Sequence, residues 1–142
     1  MIKICFVCVG NTCRSVMAER LLRKKLKKEK INDVKIISRG VRATGENITK
    51  EAKNVLKTMS AASGNRKSIK LGKIDQDMLY IVMTENLKGF VASKKVISIK
   101  DLVGEDLLDP YGQGEHVYFE TANQIIKAND VLIEKIKMWR RV

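Results

Sequence analysis

Seven residues near the start, Ile2-Lys3-Ile4-Cys5-Phe6-Val7-Cys8, are almost continuously apolar and β-prone. A strand without polar alternation has no face to offer to water, so residues 2–8 are predicted to lie buried on both faces, as strands in a parallel sheet do. The chain turns at Gly10-Asn11, and Met17, Leu21, Leu22 and Leu26 then recur at helical spacing, which predicts a helix over residues 14–28. Buried strand, tight loop, helix is therefore the opening unit.

The alternation continues. Residues 34–38 read as a second strand, and Ala52, Val55, Leu56 and Met59 share one face of a second helix capped by Thr49. A third strand is expected over 78–83, a short helix over 85–92, a fourth strand over 96–99 and a long terminal helix over 118–139. Strands alternating with helices imply right-handed crossovers. The expected fold class is α/β: one domain over residues 1–142, an open four-stranded parallel sheet with helices on both faces. Ligands of such sheets bind beyond the carboxyl ends of the strands. The loop 8–15 and the Asp- and Gly-rich segment 102–114 are both expected at that edge.

Composition narrows the function. The three cysteines, Cys5, Cys8 and Cys13, lie together at one end, which suits a reducing compartment rather than a disulfide framework. His116 is the only histidine, so a four-ligand zinc site is not expected and no metal is predicted. The first apolar run is too short to span a membrane and lacks the layout of a signal peptide, so the expected location is the cytoplasm, with no membrane association. The formal charge of +12, from 28 Lys and Arg against 16 Asp and Glu, attracts anions in general. The basic run 20–28 reads as the wet face of a helix. No aromatic residues interleave with it to stack bases, so no nucleic-acid partner is predicted.

The chemistry concentrates in Cys8-Val9-Gly10-Asn11-Thr12-Cys13-Arg14-Ser15, where five residues separate a Cys from an Arg directly after the buried strand. A loop of that length can curl until its backbone N–H groups converge on one anion, with the following helix adding positive potential. Gly10 and Asn11 are residue types that tolerate left-handed backbone angles. Cys8, among amide dipoles and beside a guanidinium, is placed to be a thiolate nucleophile. Arg14 offers a planar fork matched to two phosphoryl oxygens. Ser15 either donates to the thiolate or caps the helix.

That string, followed by Met17-Ala18-Glu19, resembles the phosphate-binding loop of the low-molecular-weight protein tyrosine phosphatases. The family's general acid sits in an Asp-Pro-aromatic triplet in the last third of the chain, and Asp109-Pro110-Tyr111 stands there. The resemblance implies catalysis by Cys8, Arg14 and Asp109 through a phosphocysteine intermediate, with phosphate held by Val9, Gly10, Asn11, Thr12, Cys13 and Ser15. It implies phosphorylated proteins as substrates, no cofactor, and a monomer. It also implies that Cys13 can pair with an oxidised Cys8. The chain departs from the family pattern at Val16, at Arg39, and at Asn65, which stands near the position of a His that braces the loop Asn. Ser38 remains a candidate partner for Asn11, and Cys5 is expected to be inert.

Thr12 resembles the branch that acts on phosphoarginine, whereas the tyrosine-directed members often carry a bulky aliphatic residue there. A hydroxyl at that position could orient water near a guanidinium leaving group. The loop 41–47 holds no aromatic residue to sandwich a phenyl ring, while Tyr111 replaces the Phe usual in the arginine branch. Thr12 and Tyr111 are thus the substrate-pocket candidates, with Glu46, Asp106 and Glu115 as further partners for a guanidinium. Three rival readings share parts of the pattern. A thioredoxin-coupled arsenate reductase would need cysteines after Cys13, and none follow. A sugar-transport phosphocarrier has no need of both Arg14 and Asp109. A non-catalytic phosphate-binding adaptor would keep its function without Cys8.

Overall fold

The computed structural model describes residues 1–141. Four strands, β1 (Ile2–Cys8), β2 (Val34–Gly40), β3 (Leu79–Val82) and β4 (Val96–Ser98), form one parallel sheet in the order β2-β1-β3-β4. The chain steps from β1 to one side and then returns to build on the other. The carboxyl end of β1 is therefore a topological switch point, where α/β sheets open a crevice.

Four α-helices accompany the sheet: α1 (Arg14–Lys28), α2 (Lys50–Thr58), α3 (Ile99–Val103) and α4 (Glu115–Arg140), with a 3-10 helix at Glu85–Phe90. Ile4, Phe6 and Cys8 of β1 point into one core with Met17, Leu22, Leu56, Ile125 and Leu132 of α1, α2 and α4. Cys5 and Val7 point the other way, against Tyr80, Val82, Leu87 and Val91. The second face is covered more thinly, by the 3-10 helix and loop residues Leu71 and Ile74. Every residue from Ile4 to Cys8 is buried, which is why the sequence shows no alternation there.

Helix α1 has the expected bounds, and Thr49 caps α2 by accepting from the Ala52 N–H at 3.3 Å. Helix α4 starts three residues before the expected 118, and β2 extends two beyond 38 to Gly40. Helix α3 was not expected. Ser98 and Asp101 form a reciprocal capping box, and Gly104, at φ 86°, ends the helix in a left-handed turn. Gly40 has a different purpose, because a Cβ there would lie 2.7 Å from the Val9 carbonyl oxygen and 2.8 Å from the Asn11 nitrogen. Only glycine lets β2 pass this close to the loop after β1. Among the described residues, no helix is long and apolar enough to cross a membrane.

Candidate active site

Strand β1 delivers Cys8 to the carboxyl edge of the sheet with only 3% of its surface exposed. Its sulfur accepts from the Asn11 N–H at 3.1 Å and lies 2.8 Å from Ser15 Oγ. The sulfur thus meets one backbone donor and one hydroxyl. Ser15 does not cap α1; that end has no side-chain cap, and the hydroxyl turns to the sulfur instead.

Asn11 is fully buried at φ 55°, the left-handed region that asparagine tolerates. Gly10, which the sequence offered as a second such residue, does not adopt a positive φ. The Asn11 side chain uses every hydrogen-bonding position. Its Nδ2 donates to Ser15 Oγ at 2.8 Å and Ser38 Oγ at 3.0 Å, and its Oδ1 accepts from Arg66 at 2.9 Å and from the Ile69 N–H at 2.9 Å. The bracing that Asn65 left open is thus supplied by its neighbour, Arg66. Ser38 bonds Asn11 as expected and donates onward to Glu19 at 2.6 Å.

Arg14 opens α1 and is buried, and among the described residues its Nε has no hydrogen-bond partner. An unpartnered buried donor costs roughly 1–3 kcal/mol unless a ligand satisfies it, which suits a clamp for an anion. One Arg14 terminal nitrogen lies 3.7 Å from Asp109 Oδ2. The two chemically loaded segments therefore do meet. The Asp109 side chain is 61% exposed, and its other oxygen accepts from the Tyr111 N–H at 3.2 Å. Pro110 is buried, and the Leu108 N–H is tied to Gln124 of α4 at 3.0 Å.

The remaining candidates divide. Val9 and Tyr111 are exposed at the rim. Thr12 is half-buried, its carbonyl accepts from the Thr49 N–H at 2.9 Å, and its Oγ1 lies 3.5 Å from where a Gly10 Cβ would be. Burial pushes the Cys13 thiol up to about 12 and the Cys5 thiol up to about 12, which disfavours either as a nucleophile at neutral pH. Two guanidinium partners suggested by the sequence are already engaged: Glu46 accepts from Thr44, and Asp106 accepts from the Glu85 N–H. Glu115 begins α4 on the surface. The sequence missed Arg66, Ile69 and Gln124; Glu19 appeared only as a letter in the motif.

The profile of the family described as low molecular weight phosphotyrosine protein phosphatase matches residues 3–141. A protein-arginine-phosphatase of Geobacillus stearothermophilus is 33% identical, over 95% of this chain and 96% of its own. The low molecular weight protein-tyrosine-phosphatase PtpA of Staphylococcus aureus strain Newman is 30% identical, over 96% and 94%. The solved structure of the YwlE arginine phosphatase, a cysteine-to-serine mutant with a phosphorylated active-site serine, superposes with a TM-score of 0.87 at 31% identity, covering 99% of both chains. The chain belongs to the low molecular weight phosphotyrosine protein phosphatase family.

Proposed function

We propose that the protein is a cysteine-dependent phosphatase that removes phosphate from arginine side chains of proteins. The observation that carries the chemistry is the Cys8 sulfur, held by the Asn11 N–H beside Ser15 Oγ in a loop whose Arg14 faces Asp109. In the first step the Cys8 thiolate donates an electron pair to phosphorus while Arg14 and the loop amides hold the phosphoryl oxygens. The P–N bond breaks, its electrons leave with the guanidino nitrogen, and Asp109 gives that nitrogen a proton. In the second step the Asp109 carboxylate takes a proton from water, and the water oxygen attacks phosphorus. The P–S bond breaks, inorganic phosphate departs and the thiolate returns. A phosphorylated active-site serine in the YwlE mutant supports a covalent phosphoryl enzyme.

Two features favour arginine over tyrosine. Thr12 puts a small hydroxyl side chain beside Gly10, and Val9, the aliphatic residue next to Cys8 and 41% exposed, suits the methylene stem of arginine better than a ring sandwich would. Tyr111, 72% exposed, is the feature that keeps phosphotyrosine as the second reading. The three free thiols support a reducing, cytoplasmic setting, and we read the enzyme as a monomer.

The test is to assay phosphoarginine and phosphotyrosine peptides side by side on the wild type and on Thr12→Ile. Wild type is expected to prefer phosphoarginine, and the variant to lose roughly tenfold or more of that preference, about 1.4 kcal/mol of discrimination. Arginine activity equal to or above wild type in Thr12→Ile would remove Thr12 from the specificity argument.

A further inference from the structure

Helix α2 packs against both α1 and α4, but it ends at Thr58, while α1 runs on to Lys28 and α4 to Arg140. Past that end the channel between the two longer helices opens as a cleft of about 300 Å³. Its apolar walls are Leu21 of α1, Ile126 of α4 and Met59 after α2, the last two only half-buried. Lys24, Lys25 and Lys28 share one face of α1 and stand along the rim. The basic run that reads in sequence as a wet helical face therefore also borders a groove.

Charge in the cleft is unbalanced. Lys25 pairs with Asp130 at 2.7 Å and Lys24 donates to the Met59 carbonyl, while Lys28 has no partner among the described residues. Three ammonium groups thus face one carboxylate. Such a rim favours an anionic ligand, and the walls favour an aliphatic one.

A buried amide narrows the class. The inward stripe of α4 is apolar at Ile125, Ala128, Leu132 and Ile133, and Asn129 interrupts it, 3% exposed and lining the cleft. Among the described residues its side chain makes one hydrogen bond, from Nδ2 to the Ala18 carbonyl oxygen at 3.4 Å. That bond is long, and it leaves Oδ1 and the second amide hydrogen for water or a ligand in the cleft. One acceptor and one donor match the N–H and C=O that an extended peptide residue presents to the same side.

We propose that the cleft between α1 and α4 docks an acidic peptide segment of a partner protein. An aliphatic side chain of that segment packs among Leu21, Met59 and Ile126, its main chain meets Asn129, and its carboxylates meet Lys24 and Lys28. Both lysines are exposed and leave the cleft open along its rim, whereas sites for free small molecules enclose most of their ligand. Arg14 and Lys28 are the two ends of the 15-residue α1, about 20 Å apart along its axis. Docking here therefore does not depend on the reaction at Cys8.

The test is fluorescence anisotropy of a labelled Glu-Asp-Leu-Leu-Glu-Asp peptide at about 0.15 M ionic strength, beside the same peptide with Ser-Ser in place of Leu-Leu. The leucine peptide is expected to bind with a Kd of about 10–100 μM, about tenfold or more tighter than the serine control. Lys24→Glu combined with Lys28→Glu is expected to weaken it about tenfold, and Asn129→Leu about fivefold, because the peptide group then loses both partners. These residues lie outside the phosphate cradle, so unchanged turnover of an aryl phosphate shows that the variants fold. Should Asn129→Leu not fold, the exposed lysine reversals carry the decision, together with movement of the Asn129 side-chain amide signal in the NMR spectrum as the peptide is titrated. No binding, equal affinity for the two peptides, or indifference to the lysine reversals overturns the proposal. So does displacement by inorganic phosphate at constant ionic strength, which would assign the peptide to the cradle, or a dimer in sedimentation that the lysine reversals dissolve, which would give the cleft to a second copy of the chain.

Discussion

The two loops that meet at Arg14 and Asp109 are built on opposite principles. The phosphate loop after β1 is buried, and its polar side chains Asn11, Ser15 and Arg14 are shielded from water, with Asn11 fully bonded. The loop that carries Asp109 is largely exposed, and turns through two glycines of positive φ, Gly112 and Gly114, before α4. Under the proposed mechanism the contrast follows from the tasks. Stabilising a thiolate and a doubly charged phosphoryl group needs dipoles that are oriented before substrate arrives. Delivering a proton and then accepting one from water needs a carboxyl that solvent can reach. Rigidity belongs to the cradle and access to the acid.

The largest expected effect tests the exposed side of that contrast. Asp109→Ala is expected to lower kcat by about 10²–10⁴-fold on a poor leaving group and much less on a good one, because only a poor leaving group needs the proton. A leaving-group series measures it, and equal slowing across the series removes Asp109 from the acid role. A smaller effect tests the buried side. Gly40→Ala forces a methyl against the Val9 carbonyl and the Asn11 nitrogen, and is expected to cost about 1–3 kcal/mol of stability together with most of the activity. Denaturant melts and phosphate inhibition constants check it; unchanged phosphate affinity would mean that the cradle is more pliable than its bonding suggests.

The smallest effect concerns pH. Hydrogen bonding to Lys88 holds both Asp101 and Glu85 below their ordinary values of 3.8 and 4.5. Carboxyls depressed in the folded state contribute stability above their unfolded values and lose it as pH falls through the folded ones. Asp101 caps α3, which leads into the acid loop. Acidification below about pH 4.5 is therefore expected to raise amide hydrogen exchange in residues 99–110 before it does so in residues 8–15. Simultaneous loosening would contradict the contrast.

The same contrast explains what the sequence could reveal. The cradle and its helix were legible because their signals are local: an unbroken apolar strand, a fixed Cys-to-Arg spacing and a 3.6-residue stripe. Asp109 was legible only through resemblance, since an Asp-Pro pair alone reads as a turn. Helix α3 carried a readable signal, Ser98 with Asp101 and then Gly104, but at five residues it was too short to show periodicity. Arg66 offered no local signal. Its partner Glu19 lies 47 residues away, and the pairing exists only because β2 and the segment after α2 converge behind Asn11. Gly40 likewise looks like any strand-ending glycine until the loop is folded against it.

The most direct test of the central claim is to quench a reaction of Asp109→Ala with a phosphorylated substrate under alkali, which preserves thiol-linked phosphate and strips serine-linked phosphate by β-elimination, and map the protein by mass spectrometry. The expected result is one phosphoryl group on the peptide that contains Cys8, absent in Cys8→Ser under conditions that spare thiol-linked phosphate only. Phosphate on another residue, or full turnover by Cys8→Ser without any adduct, would contradict the assignment of the buried sulfur as the group that phosphorus first meets.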